Sequence, residues 1–141
     1  MRRSAIFCLT LTLLLLALLP AGSALASSQP WCEVKWSRTV KVSGLKQGDA
    51  VRGRYLTLYF RWKHSPADPM NVRSTIKVKT PLNRLLFTAS GTVKSDDLAW
   101  AKMRFYVKKS WKWGSYSVFI HGVDANGQAG DKTTWFHIKK Y

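Results

Sequence analysis

Apolar and polar side chains alternate along most of this chain. From residue 34 the period is two, as in strands that bury one face. Val34, Trp36, Val40 and Val42 fall on one side and Lys35, Ser37, Thr39 and Lys41 on the other, with Arg38 out of step. Leu56, Leu58, Phe60 and Trp62 then alternate with Tyr55, Thr57, Tyr59, Arg61 and Lys63. Val72, Ser74, Ile76 and Val78 alternate with Arg73, Thr75, Lys77 and Lys79, and Leu85, Leu86 and Phe87 mark a short apolar strand over 84–90. Ala101, Met103, Phe105 and Val107 face inward against Lys102, Arg104, Tyr106 and Lys108. Tyr116, Val118 and Ile120, and finally Phe136 and Ile138, complete the inward set.

Turn chemistry separates these runs: two prolines in 65–71, a loop from Gly91 to Asp97, a turn from Ser110 to Gly114, and a Gly-rich connection from Asp124 to Asp131. No segment carries a helical period. Seven short strands in about 100 residues predict an all-β, seven-stranded, two-sheet immunoglobulin-like sandwich.

The N-terminal part follows a different rule. Arg2 and Arg3 precede an apolar run over 5–19, Pro20 and Gly22 interrupt it, and Ala24-Leu25-Ala26 has the small-x-small pattern of a cleavage site. This predicts a cleaved signal peptide over 1–26, a mature domain over 27–141, and a secreted or periplasmic location. Cys8 lies inside the apolar run, so the segment does not read as a lipoprotein leader. Export would leave Cys32 as the lone thiol in an oxidising compartment. Two readings stand: a small buried hydrophobe, or a disulfide to a second copy or a partner.

Charge sharpens the picture. The chain has 23 Lys and Arg against 7 Asp and Glu, a formal charge of +16, of which +14 remains without the leader. That exceeds what solubility asks of a small domain. If the first, second and fifth long strands share a sheet, Lys35, Lys41, Tyr55, Tyr59, Arg61, Lys63, Lys102, Arg104, Tyr106 and Lys108 share its solvent face, with Glu33 at the edge. Like charges opposite one another across strands destabilise a sheet. A face that tolerates them would be kept for an anionic partner. Arg61, Lys63, Lys102, Arg104 and Lys108 are the candidate anion-binding cations, with Tyr59 and Tyr106 stacking. Acidic glycans, lipopolysaccharide, lipid headgroups and extracellular DNA fit this chemistry, and export argues against intracellular nucleic acid. The plainer reading is a face kept cationic for solubility and edge protection.

Gly114-Ser115-Tyr116-Ser117-Val118-Phe119-Ile120-His121-Gly122-Val123-Asp124, then Asn126-Gly127 and Trp135-Phe136-His137-Ile138, resembles the end of bacterial immunoglobulin-like and fibronectin-type modules. The two cysteines of antibody-type domains are missing. The resemblance implies the sandwich fold. Such modules serve as adhesins, spacers, chaperones and sugar binders, so it says little of function.

Two further groups stand out. Trp111 and Trp113 lie among Lys108, Lys109 and Lys112 in a turn, a composition suited to a lipid or sugar boundary. The alternative is that one ring folds back over the end of the sandwich. Phe119, His121, Trp135 and His137 point outward from the last two strands, where Phe119 and Trp135 would form a protein-contact patch. His121 and His137 lack a third metal ligand, and Asp124, Asn126 and Asp131 lack the spacing of an EF-hand, so no metal or other cofactor is expected. There is no Gly-x-Ser-x-Gly, His-Glu-x-x-His or phosphate loop, and Glu33 is the sole Glu, which predicts a protein that is not an enzyme. The expectation is a non-catalytic module for an anionic surface or polymer. The alternative is an envelope, assembly or adhesion module that contacts another protein.

Overall fold

The alternation builds two sheets whose apolar faces meet. The computed structural model describes residues 28–37 and 48–139. The expected signal peptide, and Arg38, Thr39, Val40, Lys41 and Val42 of the first expected strand, lie outside the described residues.

The elements are β1 (Trp31–Ser37), β2 (Asp49–Ala50), β3 (Arg54–Lys63), β4 (Asn71–Lys79), β5 (Leu85–Lys94), β6 (Ala101–Val107), β7 (Gly114–Asp124) and β8 (Ala129–Ile138). One sheet has the order β1-β3-β6 and the other β2-β8-β7-β4-β5. Pairing is antiparallel throughout, except that the two-residue β2 runs parallel to β8. Two elements depart from the sequence pattern. β2 was not expected, and β5 runs through Gly91 to Lys94, where a loop was expected. Likewise Asp131, expected in the last connection, lies within β8 and pairs with His121.

Leu56, Leu58, Phe60 and Trp62 from β3 meet Val72, Ile76 and Val78 from β4, Tyr116, Val118 and Ile120 from β7, and Phe136 and Ile138 from β8 in one core. Each Leu, Ile or Phe buried there contributes about 1.5–3 kcal/mol. Trp62 is fully buried, and its indole N–H donates to Ser74 Oγ at 2.9 Å, so burial leaves no orphaned donor. Trp36 is satisfied in the same way by Thr134 Oγ1 at 3.1 Å. Both therefore belong to the core, as their inward positions predict.

Three strands cannot cover five. β5 forms the edge of the wider sheet, and its inward residues Phe87, Ala89 and Val93 are only half-buried. A slot of about 200 Å³ opens there between the sheets, against Phe60, Ile76 and Met103.

Candidate functional site

The pairing register decides what the outer face of the β1-β3-β6 sheet presents. Lys35 lies opposite Tyr59, which lies opposite Lys102. Glu33 faces Arg61, Trp31 faces Lys63, Thr57 faces Arg104, and Tyr55 faces Tyr106. The period-two assignment therefore places Tyr59, Arg61, Lys63, Lys102, Arg104 and Tyr106 on one surface, with Lys108 just beyond the end of β6. Lys41, expected with them, lies outside the described residues.

The register also corrects one argument made from sequence. Among the described residues, no cation on this face stands directly opposite another cation. Each cation within the paired stretches faces an aromatic ring, a hydroxyl or a carboxylate, so the described part of the face carries no cross-strand repulsion of the kind anticipated. Cation–π contacts take its place. The Lys35 ammonium lies 4.3 Å from the Trp100 ring centroid and the Arg61 guanidinium 4.2 Å from the same ring. Arg104 lies 4.1 Å from Tyr55, whose ring packs edge-on to Tyr106.

Glu33 offsets part of the charge. Its carboxylate accepts from Arg61 Nε at 2.5 Å and lies 3.6 Å from Lys63 Nζ. The hydrogen bond from Arg61, with the two positive charges, holds the Glu33 carboxyl below its usual range. Arg61 and Lys63 are thus half-buried and partly neutralised, whereas Lys102, Arg104 and Lys108 are exposed.

The two loop tryptophans part company. Trp111 turns inward, stacks on Tyr116 at 5.8 Å between centroids and packs near Phe87 and Phe105. It closes the end of the sandwich. Trp113 remains on the surface, 40% exposed, with the Arg52 guanidinium 3.4 Å from its ring centroid. Arg52 also donates to the carbonyls of Lys109 and Trp111, at 3.0 and 3.4 Å, and so ties the β6–β7 loop to the β2–β3 turn. Sequence reasoning missed Arg52, because nothing local marks a turn arginine as the clamp of a loop some 57 residues away.

Phe119 and Trp135 are exposed on the outer face of the five-stranded sheet, where Trp135 lies opposite Ser117, two residues from Phe119. Phe119 stacks on His121, and His121 pairs with Asp131. His137 Nδ1 is 2.7 Å from Ser115 Oγ. The two histidines therefore have separate partners.

Cys32 is buried, as the first of its two readings expects. It is 5% exposed, directly opposite Trp62, and burial pushes its thiol pKa up to about 12. A disulfide to another chain would require β1 to open.

At the far end of the sandwich lies a buried polar cluster that sequence reasoning also missed. The His64 ring has Nδ1 3.1 Å from Asp96 Oδ2 and Nε2 3.1 Å from Asp124 Oδ2. Burial by itself would raise both carboxyls, but hydrogen bonds outweigh it. Asp96 accepts the backbone N–H of Asp68 and of His64, and Asp124 accepts those of Gln128 and Asn126. Both carboxyls consequently lie below the usual range. The cluster joins the β3–β4, β5–β6 and β7–β8 connections. Asp124 and Asn126, weighed above as a calcium loop, are used in this closure.

One more contact defines the class. The buried Tyr116, near the start of β7, donates its hydroxyl to the Lys112 carbonyl at 2.8 Å. A tyrosine bonded back to the chain just ahead of its own strand is the tyrosine corner of immunoglobulin-type sandwiches.

Comparison with known proteins agrees on the fold. The PKD domain of an M14-like peptidase from a Thermoplasmatales archaeon superposes with a TM-score of 0.57 at 15% identity, covering 82% of this chain and 100% of that one. Spo0M, a sporulation control protein from Bacillus subtilis, is more distant, with a TM-score of 0.48 at 6% identity, covering 81% and 51%. No protein-family model matches the chain, and no curated protein sequence matches it. The described residues form an all-β, two-sheet immunoglobulin-like sandwich. The likeness extends to that class and not to a fibronectin-type module within it.

Proposed function

We propose that this protein is an exported, non-catalytic binding module that engages an anionic polymer or surface through the outer face of the β1-β3-β6 sheet. The observation that carries the reading is the alignment of Lys102, Arg104 and Tyr106 on β6 beside Tyr55 and Tyr59 on β3. The exposed cations stand next to aromatic rings, and Glu33 is the one acid among the outward positions of these strands. Cations in such a row bind polyanions by ion pairing and counterion release, and neighbouring tyrosines add stacking on rings or bases. Arg61 and Lys63, already shared with Glu33, contribute less than Lys102, Arg104 and Lys108. Export rests on the leader pattern of residues 1–26.

Retention on heparin tests the reading. Lys102→Glu combined with Arg104→Glu should weaken binding at least tenfold near 0.15 M salt and flatten the dependence of log K on log salt by on the order of one per cation removed. Unchanged retention refutes it. A second reading, contact with another protein through the five-stranded sheet, is favoured by the exposure of Phe119 and Trp135 on one face. It predicts a partner whose binding is nearly indifferent to salt and is lost with Trp135→Ala.

A further inference from the structure

The end of the sandwich that carries Trp113 differs in chemistry from the end that carries His64. Strand direction sorts the carboxylates. Asp68, Asp96, Asp97, Asp124 and Asp131 lie at or near the His64 end, and Glu33 lies two residues from the Lys63 end of the β1–β3 ladder. The seventh acid, Asp49, is at the Trp113 end, but it is buried and bonded to Lys139 Nζ at 2.9 Å. Among the described residues the Trp113 end therefore presents no exposed carboxylate side chain, while Arg84, Lys108, Lys109 and Lys112 are exposed there.

Apolar side chains project from the same end. Leu82 is 69% exposed at the tip of the β4–β5 turn. That turn is held rather than loose. Asn83 takes a left-handed conformation (φ 62°), its N–H donates to the Thr80 carbonyl at 2.8 Å, and the Thr80 N–H donates to the Arg84 carbonyl at 2.8 Å. Pro81 then sits so close to Gly114 that a Cβ there would come within 2.9 Å of it. The turn is thereby packed onto the β6–β7 loop, and Arg52 fixes that loop from its other side. Between turn and loop lies a cleft of about 490 Å³, floored by Trp111 and Tyr116, with Leu82 and Trp113 on its walls and Arg84 and Lys112 at its rim.

A rigid tip with an exposed leucine, an exposed tryptophan and a ring of cations has the composition of a membrane-interface anchor. Indoles settle at headgroup depth, and each nearby Lys or Arg is drawn to anionic lipid. A sugar ring fits less well, because Trp113 already carries Arg52 on its ring and Trp111 is stacked on Tyr116. We infer that this end of the sandwich docks onto an anionic phospholipid bilayer, with Leu82 and Trp113 entering the interface and Arg84 and Lys112 contacting the headgroups. The surface adjoins the sheet face proposed above at Lys108, but Leu82, Trp113, Arg84 and Lys112 belong to this end alone, so variants at those positions separate the two readings.

Cosedimentation with vesicles tests it, using phosphatidylglycerol mixed with phosphatidylcholine, and phosphatidylcholine alone. The wild-type chain should sediment with the anionic vesicles only. Leu82→Asp and Trp113→Ala should each lower that binding at least fivefold and leave heparin retention unchanged. Bromine on the acyl chains should quench wild-type tryptophan fluorescence, and Trp113→Phe should remove most of the quenching. The quenching needs no destabilising change, since it is read first on the wild-type chain. Failure of the wild-type chain to bind anionic vesicles overturns the inference. So does wild-type binding by Leu82→Asp and Trp113→Ala. Vesicle binding that is lost in the Lys102→Glu, Arg104→Glu variant but kept in Leu82→Asp also overturns it, and transfers the lipid contact to the sheet face.

Discussion

The indole of Trp62 lies against Gly122 so closely that a Cβ on that residue would overlap its ring. β7 can cross beneath the largest fully buried side chain of the core only because position 122 has no side chain. Gly122→Ala forces either the ring or the strand to move, and the Ser74 hydrogen bond to the indole moves with it. Overpacking of this kind costs about 3 kcal/mol. Denaturant unfolding of the variant should show that loss, and a change below about 0.5 kcal/mol would mean that the strand relaxes freely.

Acid should unfold this protein through the far end. Asp96 and Asp124 have carboxyls held below their ordinary range, so the stability they contribute is present above the unfolded value near pH 4 and is lost as pH falls through the lower folded values. The melting temperature should therefore decline steeply below about pH 4. Asp124→Ala removes a buried acceptor of two backbone N–H groups and the partner of the His64 ring, and a buried donor left without an acceptor costs about 1–3 kcal/mol, so stability at pH 7 should fall by at least that order. The same variant should flatten the acid limb of a melting-temperature profile. A limb as steep as that of the wild-type protein would place the acid sensitivity elsewhere.

Arg52 should be irreplaceable by lysine. Its planar guanidinium stacks on Trp113 while donating to two carbonyls of the β6–β7 loop, which a single ammonium cannot do together. Limited trypsin digestion reads the result, since Lys108, Lys109 and Lys112 are in that loop. Both Arg52→Lys and Arg52→Ala should speed cleavage there severalfold. Equal rates in all three proteins would show that the loop is held by other contacts.

Cys32 should behave as a core residue. With its pKa pushed up to about 12, almost none of the thiol is thiolate near neutral pH, and the strand shields it as well. A disulfide reagent should label it slowly in the folded protein and at once in denaturant. Rapid labelling of the folded chain, or a covalent dimer on a non-reducing gel, would contradict the buried position.

What could be read from sequence follows from where each signal is local. The sheet face was legible because a strand encodes its two sides within a few residues, as in Tyr55 to Lys63. β5 was legible only in its first half. Beyond Phe87 it is an edge strand whose outer face is exposed and whose inner face, with Ala89, Gly91 and Val93, is small and at most half-buried, so Thr88 to Lys94 carries little alternation to read. β2 is two residues long and has no period at all. The His64 cluster was invisible because its partners lie 32 and 60 residues away and each resembles a turn aspartate in its own surroundings. Trp111 and Trp113 are two residues apart in a loop without a repeat, so sequence could not say which ring closes the core and which stays out.

The gathering of most acids near one end of the strand axis has a kinetic consequence. A body whose cations are offset by acids at one end and stand without them at the other carries an electric moment along its length, and a negatively charged plane exerts a torque on it before contact. Approach to such a plane would be pre-oriented, with Leu82 leading and His64 trailing, and the number of fruitless collisions would rise as added salt shortens the reach of that torque.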